Sequence, residues 1–169
     1  MKRKIKIICI IVIVFFSILF LTLYINKIWI FNPFNNVSIV PSHVITKLQE
    51  QIELDSCYLM NEDEVKEKYN INSMEGISNY AVLSSFIGLE AEEIAIFNFN
   101  SKKIKEDFKD ILMKRAKDII NYYEGYVYSQ TEIAKDYEIK EYNNTIIFVI
   151  HKNKEKIIKC IEKIILENN

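Results

Sequence analysis

One arginine stands where an apolar side chain is expected. Arg115 follows Ile104 by eleven residues, which turns it only about 20° away from Ile104 around a helix. That places it inside an apolar stripe of Ile104, Phe108, Ile111, Leu112, Ile119 and Tyr123. A guanidinium there needs acceptors, because a buried unpaired charge is strongly unfavourable. Two chemistries satisfy it. One is a structural bond, or a stem that carries the charge out to water. The other is an arginine that binds an anionic ligand in a cleft.

The remaining chemistry-bearing residues are scattered. His43 and His151 are the two histidines, and neither sits in an H-x-x-x-H or H-E-x-x-H spacing, so no metal site is expected. No serine lies in G-x-S-x-G, although a Ser-His-Asp triad is defined by geometry and not by spacing. Gly76, Gly88 and Gly125 are the three glycines, too few and too far apart for a phosphate-cradling loop. No catalytic residue and no cofactor is assigned. Cys57 and Cys160 could pair in an oxidising compartment; the reading adopted is two small buried hydrophobes. Tyr122, Tyr123, Tyr126 and Tyr128 cluster after the arginine-bearing helix. Aromatic rings there either stack on sugars or close the edge of a core with their hydroxyls in water.

The elements that must position these residues follow from periodicity and punctuation. Pro41–Ser42 opens a helix with Ser42 as its N-cap and Val44, Ile45, Leu48 and Ile52 inward. A short helix over Asn61–Tyr69 has an acidic first turn and lysines later, as the helix dipole prefers. Asn79–Ile87 and Glu93–Phe99 read as strands turned at Gly88–Ala91. Ser101 caps a long helix to about Tyr123. Ser129–Glu132 matches a capping box and suggests one more short helix. Tyr137–Tyr142 and Thr145–His151 form a hairpin at Asn143–Asn144, a pair that tolerates positive φ. The second strand is apolar throughout and should be central; the first carries Glu138, Lys140 and Glu141 and suits an edge. A final helix covers Asn153 to about Leu166. Both halves read as hairpin then helix, with Ile104, Phe108, Ile111 and Leu112 matching Ile157, Ile161, Ile164 and Ile165 at an offset of 53.

Charge divides the 169-residue chain sharply. Five of its 22 cationic residues (Lys2, Arg3, Lys4, Lys6, Lys27) precede Asn32, and all 23 acidic residues follow it. The remainder holds 17 positive charges against 23 negative, a net charge of −6, which argues against a nucleic-acid partner. Between the cations, residues 7–25 form 19 uncharged positions, fifteen of them Ile, Leu, Val or Phe. As a helix this run measures about 28 Å, close to the hydrocarbon core of a bilayer. Its insertion is favourable by roughly 6 kcal/mol. Ser17 and Thr22 can bond back to the helix backbone, and Tyr24, Trp29 and Phe31 suit an interface. A cleaved signal peptide needs a small-x-small site, yet the first alanine is Ala81. Cys9 comes too early, after Lys6-Ile7-Ile8, for lipid attachment. The expectation is an uncleaved single-pass anchor at the cell membrane with its N-terminus in the cytoplasm.

Glu93-Ile94-Ala95-Ile96-Phe97, the helix reaching Arg115, the final apolar strand and the upstream Val65-x-x-x-Tyr69-x-Ile71 turn resemble a bacterial family known as domain of unknown function 4358. The resemblance covers about Ser42 to Leu166. It implies a small extracytoplasmic protein and no particular activity. Many members are lipid-anchored, but this chain lacks the lipoprotein cysteine. The resemblance also places the acidic strand start, Glu92 and Glu93, beside the arginine helix, which implies an ion pair or anion site formed by Arg115 with Glu93 or Glu92.

The expected architecture is therefore α+β. Residues 1–31 form a cytoplasmic tip and transmembrane anchor, residues 32–41 a linker, and residues 42–169 an extracytoplasmic domain. That domain is a four-stranded antiparallel sheet with helices packed on it, built from two hairpin-helix units. The expected function is a non-enzymatic module that binds an envelope protein or glycan; the alternative is an envelope hydrolase with a site assembled from scattered residues.

Overall fold

The computed structural model describes residues 13–22, 34, 37–54, 56–86, 88 and 90–167. The chain divides into two units, Met1–Asn35 and Asn36–Asn169. In the first, residues 13–22 form helix α1, in which the Ser17 and Thr22 hydroxyls donate to the carbonyl oxygens of Val14 and Leu19 at 2.8 Å each. These ten residues measure about 15 Å, half of a hydrocarbon core. Among the described residues no helix is long and apolar enough to cross a membrane. That corrects the expectation of a transmembrane helix ahead of the domain. The rest of the run 7–25, with Cys9 and Tyr24, lies outside the described residues, as do Trp29 and Phe31.

The second unit is α+β, but its sheet has five strands where four were expected. In chain order they are β1 (Cys57–Leu59), β2 (Ile77–Ser85), β3 (Glu93–Phe99), β4 (Glu138–Tyr142) and β5 (Thr145–Ile150). They lie side by side as β1-β2-β3-β5-β4, all antiparallel. The missed strand, β1, has three residues, too few to display a period of two. The expected hairpin is present, with Asn143 at φ 50° in its turn, β4 at the sheet edge and β5 inside. All six residues of β5 are buried, because helices cover both faces of the sheet.

Those helices are α2 (Pro41–Gln51), α3 (Glu62–Tyr69), α4 (Lys102–Tyr123), α5 (Tyr128–Lys135) and α6 (Lys154–Glu167). Strand alternation sorts the sheet's side chains. Val82, Ala95, Phe97, Phe99, Ile146, Phe148 and Ile150 share one face and one core with Val65 and Tyr69 of α3, Phe108, Leu112, Ala116 and Ile119 of α4, and Ala134 of α5. Leu83, Ile94, Ile96, Ile147 and Val149 point the other way and are buried under α2 and α6, whose Val44, Ile45, Leu48, Ile157, Ile161, Ile164 and Ile165 are buried in turn. The two hairpin-helix units therefore do not repeat in space. The offset of 53 carries Ala95 to Phe148 on the same face, yet α4 and α6 cover opposite faces.

Two expected caps are also corrected. Pro41 takes the first turn of α2, so Val40 is the N-cap and Ser42 lies inside the helix. Helix α5 begins at Tyr128 after Val127, with no side-chain cap, so Ser129 and Glu132 form no capping box. Ser101 does cap α4 by accepting the Ile104 N–H, and Asn61 forms a full capping box with Glu64 at α3.

Candidate functional site

Arg115 and Glu93 meet across the α4–β3 contact. The Arg115 Nη2 lies 2.5 Å from Glu93 Oε2, and its Nε donates to Oε1 at 3.1 Å, a bidentate fork on one carboxylate. The Tyr69 hydroxyl donates to the same Oε1 at 2.8 Å, and the guanidinium carbon sits 5.8 Å from the Tyr69 ring centre. Glu93 is 1% exposed, and the Arg115 side chain 13%. Each partner arrives for a local reason. Glu93 opens β3 opposite Ser84 and Ile150. Tyr69 closes α3, which stops at Asn70 in the left-handed conformation. Arg115 lies on the α4 stripe that faces the sheet. Burial works most strongly against the Arg115 charge, but Glu93 together with Tyr69 and Asp118 outweighs it, so its pKa is pushed up. Burial first, and Glu93 second, hold the Tyr69 hydroxyl well above the usual phenol range.

Glu92 does not join this pair, because adjacent strand residues point to opposite faces. It is buried beside the buried His151 and the half-buried Ser56, with Lys152 Nζ 4.0 Å from its Oε1. The Ser56 hydroxyl donates to Glu92 Oε2 at 3.3 Å, and His151 Nε2 lies 3.2 Å from Oε1. The Asn153 backbone N–H donates to His151 Nδ1 at 2.8 Å, so the ring proton is on Nε2 and points at the carboxylate. Burial pushes the imidazole pKa down against the pull of Glu92. Ser56 is held by its carbonyl oxygen, which accepts the Phe86 N–H at 2.7 Å, and Glu92 by its own carbonyl, which accepts from Ser85 N–H at 3.0 Å. Cys57, beside them, has its thiol pushed up to about 11 by burial and then by Glu92, so it is a poor nucleophile at neutral pH.

Between these two clusters lies a half-open pocket of about 280 Å³. Its floor is the start of β3. One wall is the β2–β3 connection with Gly88, Glu90 and Ala91, fixed by a hydrogen bond from the Ala91 N–H to the Gln130 side chain of α5 at 2.8 Å. The other wall is α4, where Arg115, Asp118, Ile119, Tyr122 and Tyr123 follow the i, i+3, i+4, i+7, i+8 pattern of one helix face. Lys68 stands at the rim. Tyr122 and Tyr123 meet edge to face, 4.9 Å between centres, with Tyr123 buried and Tyr122 exposed. Burial, Tyr122 and Glu90 push the Tyr123 hydroxyl up to about 12. Glu90 Oε2 is buried and has no hydrogen-bond partner among the described residues. A buried carboxylate oxygen without a donor is costly.

Of the residues singled out from sequence, Arg115 and Glu93 are thus brought together, and Glu92 borders the pocket from the other side. His43 lies at the exposed start of α2, away from His151. Cys57 and Cys160 are both unpaired, and the Cys160 thiol lies 3.5 Å from the Gln51 side-chain oxygen. Tyr126 and Tyr128 are exposed. Among the described residues no group of three His, Cys, Asp or Glu is placed to hold a metal. Sequence reasoning missed Glu90, Asp118 and Lys68. The signal for Asp118 was available, since it stands one turn from Arg115 on the same face; nothing local marks Glu90.

A family model described as Domain of unknown function (DUF4358) matches residues 51–151, a span that holds all five strands and every residue lining the pocket. Comparison with curated proteins and with solved structures gives no match.

Proposed function

The chain belongs to the DUF4358 family, and from its own geometry we propose that the domain is a binding module, not an enzyme, whose ligand site is the pocket between the β2–β3 connection and α4. The observation that carries this reading is the half-open cavity itself, about 280 Å³, walled by the β2–β3 connection and one face of α4. An extracytoplasmic address belongs to the same proposal, so the partner is an envelope protein or glycan. What supports binding over envelope hydrolysis is the order of contacts at Glu92. A hydrolytic relay needs the imidazole between the serine and the acid. Here the carboxylate lies between Ser56 and His151, and the imidazole spends its second nitrogen on a backbone N–H.

The test is a titration of the protein with fractionated envelope peptides and glycans, followed by amide NMR. A blocking variant, Gly88→Phe, accompanies it; Gly88 lies in an exposed turn, and a Cβ placed there stands an ordinary 3.5 Å from the Tyr122 hydroxyl. A ligand is expected to move the Gly88, Glu90 and Asp118 signals and to be lost in Gly88→Phe. Shifts confined to another surface, or equal binding by Gly88→Phe, would overturn the site. For the address, protease added to intact cells is expected to digest the domain.

A further inference from the structure

We propose that the turn between β5 and α6 is a proton-operated latch: neutral His151 holds it closed by accepting the Asn153 N–H on Nδ1, and a proton on Nδ1 opens it while the ring keeps Glu92. The latch does not depend on the pocket being a binding site. His151 follows β5 directly and is 6% exposed. Its two ring nitrogens reach different segments. Nδ1 takes the Asn153 backbone N–H at 2.8 Å, and Nε2 lies 3.2 Å from Oε1 of Glu92, just ahead of β3. Two backbone bonds complete the turn. The Lys154 N–H donates to the His151 carbonyl at 3.1 Å, and the Ile157 N–H donates to the Asn153 carbonyl at 3.1 Å. The entry to α6 is thus closed by a side chain that can exchange an acceptor for a donor near neutral pH.

The two contacts respond oppositely to a proton. Nε2 already carries one, so the nitrogen that gains it is Nδ1. A protonated Nδ1 is a donor facing a donor, and two N–H groups cannot share a 2.8 Å approach. Nε2 still donates, now from a cation, so its contact with Glu92 becomes charge-assisted. The ring is held and the backbone N–H is let go. Asn153 is exposed, so water replaces the lost acceptor at little cost. The start of α6 adds to the push, because a helix N-terminus disfavours a cation. Among the described residues, the charged groups that act on the ring are Glu92, Glu90 in the β2–β3 connection and Lys152 on its own segment. From β1, Cys57 lies beside Glu92, and its thiol, pushed up to about 11, stays neutral. At α6, Lys154 is turned to Asp136, donating to its carbonyl at 2.8 Å and its carboxylate at 2.5 Å. Burial pushes the imidazole pKa down, Glu92 pulls it up and Lys152 adds to the depression, so the latch is closed at neutral pH and opens in acid.

The experiment is NMR on the full chain from about pH 7.5 down to about pH 4, in wild type, His151→Gln and Glu92→Gln. Imidazole nitrogen shifts give the tautomer and the titration of His151, and hydrogen exchange gives the protection factor of the Asn153 amide. At the upper end the Nε2–H tautomer is expected, with Asn153 protected. Protection is expected to fall as His151 titrates, about tenfold by one unit below the midpoint, while Ile147 and Val149 inside β5 keep theirs. His151→Gln has no proton to gain, and its Asn153 protection is expected to be the same at both ends. Glu92→Gln keeps the ring and removes the carboxylate that favours its charge. The midpoints of both readouts are then expected to move down together, by about half a unit or more. An Nδ1–H tautomer at neutral pH overturns the latch, and so does a His151 titration that leaves Asn153 protected. An Asn153 transition that survives in His151→Gln overturns it as well. Loss of Asn153 and β5 protection together is acid unfolding and not a latch, and a ring that stays neutral to about pH 4 leaves nothing to open it; either result overturns the proposal.

Discussion

The bidentate pair of Arg115 and Glu93 yields a cycle of variants whose outcome is asymmetric. Arg115→Met keeps the stem that packs along α4 and removes the charge. Glu93, 1% exposed, then retains, among the described residues, the Tyr69 hydroxyl as its side-chain donor. Losing one member of a buried pair leaves the other uncompensated, at about 3–5 kcal/mol. For a domain of this size that lowers the melting temperature by about 10–20 °C. Glu93→Gln is milder, about 1–3 kcal/mol, because Arg115 is 13% exposed and can turn its head to water. Arg115→Met with Glu93→Leu removes both charges together and fills the space with carbon. It is expected to lie within about 1 kcal/mol of wild type, or above it, since apolar replacement of a whole buried pair is often neutral or stabilising. Urea unfolding followed by far-UV circular dichroism gives all four stabilities, and their coupling follows from the cycle. A loss below about 1 kcal/mol in Arg115→Met, or a double variant as unstable as the sum of the singles, would refute the reasoning.

Two further outcomes follow. The folded-state pKa of His151 is pushed down by burial, with Glu92 and Glu90 pulling it up and Lys152 adding to the depression; the unfolded chain therefore binds more protons below about pH 6.5, and this group's stability is full above that value and is lost as pH falls through it. His151→Gln is expected to flatten the melting profile between pH 7 and 5, and an unchanged slope would assign the pH dependence to other groups. Gly76 has φ +86° and a side-chain carbon built on it would stand 2.5 Å from Ile104 Cδ1, so Gly76→Ala is expected to cost about 2 kcal/mol or more in urea unfolding.

Much of this fold is written in short-range signals. Strand β3 begins and ends as its apolar run does, Ser101 caps α4 through its own side chain, and the Asn143–Asn144 pair makes the turn that positive φ permits. The failures have equally local causes. Ser42 and Ser129 carry the cap chemistry but fall inside helices, because Pro41 and Tyr128 already begin them. Strand β1 exists only because β2 offers it an edge, so its three residues carry no pattern of their own. Of the site, the arginine was legible as a charge out of place on an apolar stripe. Its partner was legible only as one of two neighbours, Glu92 or Glu93. The alternation of a strand separates those two, but which of them faces α4 depends on which face of the sheet the helix covers, and that is a tertiary fact.

That alternation also explains why one acidic segment serves three ends. Glu93 faces α4 and is neutralised by Arg115. Glu92 faces the other way and joins Ser56 to His151, which ties β1, β3 and the end of β5 together at the same edge of the pocket. Glu90 precedes the strand, so no ladder fixes it, and its Oε2 has no hydrogen-bond partner among the described residues. The ion pair then has a purpose beyond its own energy, which is small for a buried pair set against its apolar replacement. It fixes the rotation of α4 on β3. With Arg115 turned to Glu93, Asp118 and Tyr122 lie one and two turns further along the same helix face, over the connection that carries Glu90. A carboxylate oxygen left without a donor among the described residues, as Glu90 Oε2 is, is tolerated where the surrounding structure holds it in place, and here the Arg115–Glu93 fork and the Gln130–Ala91 bond supply that hold from opposite sides.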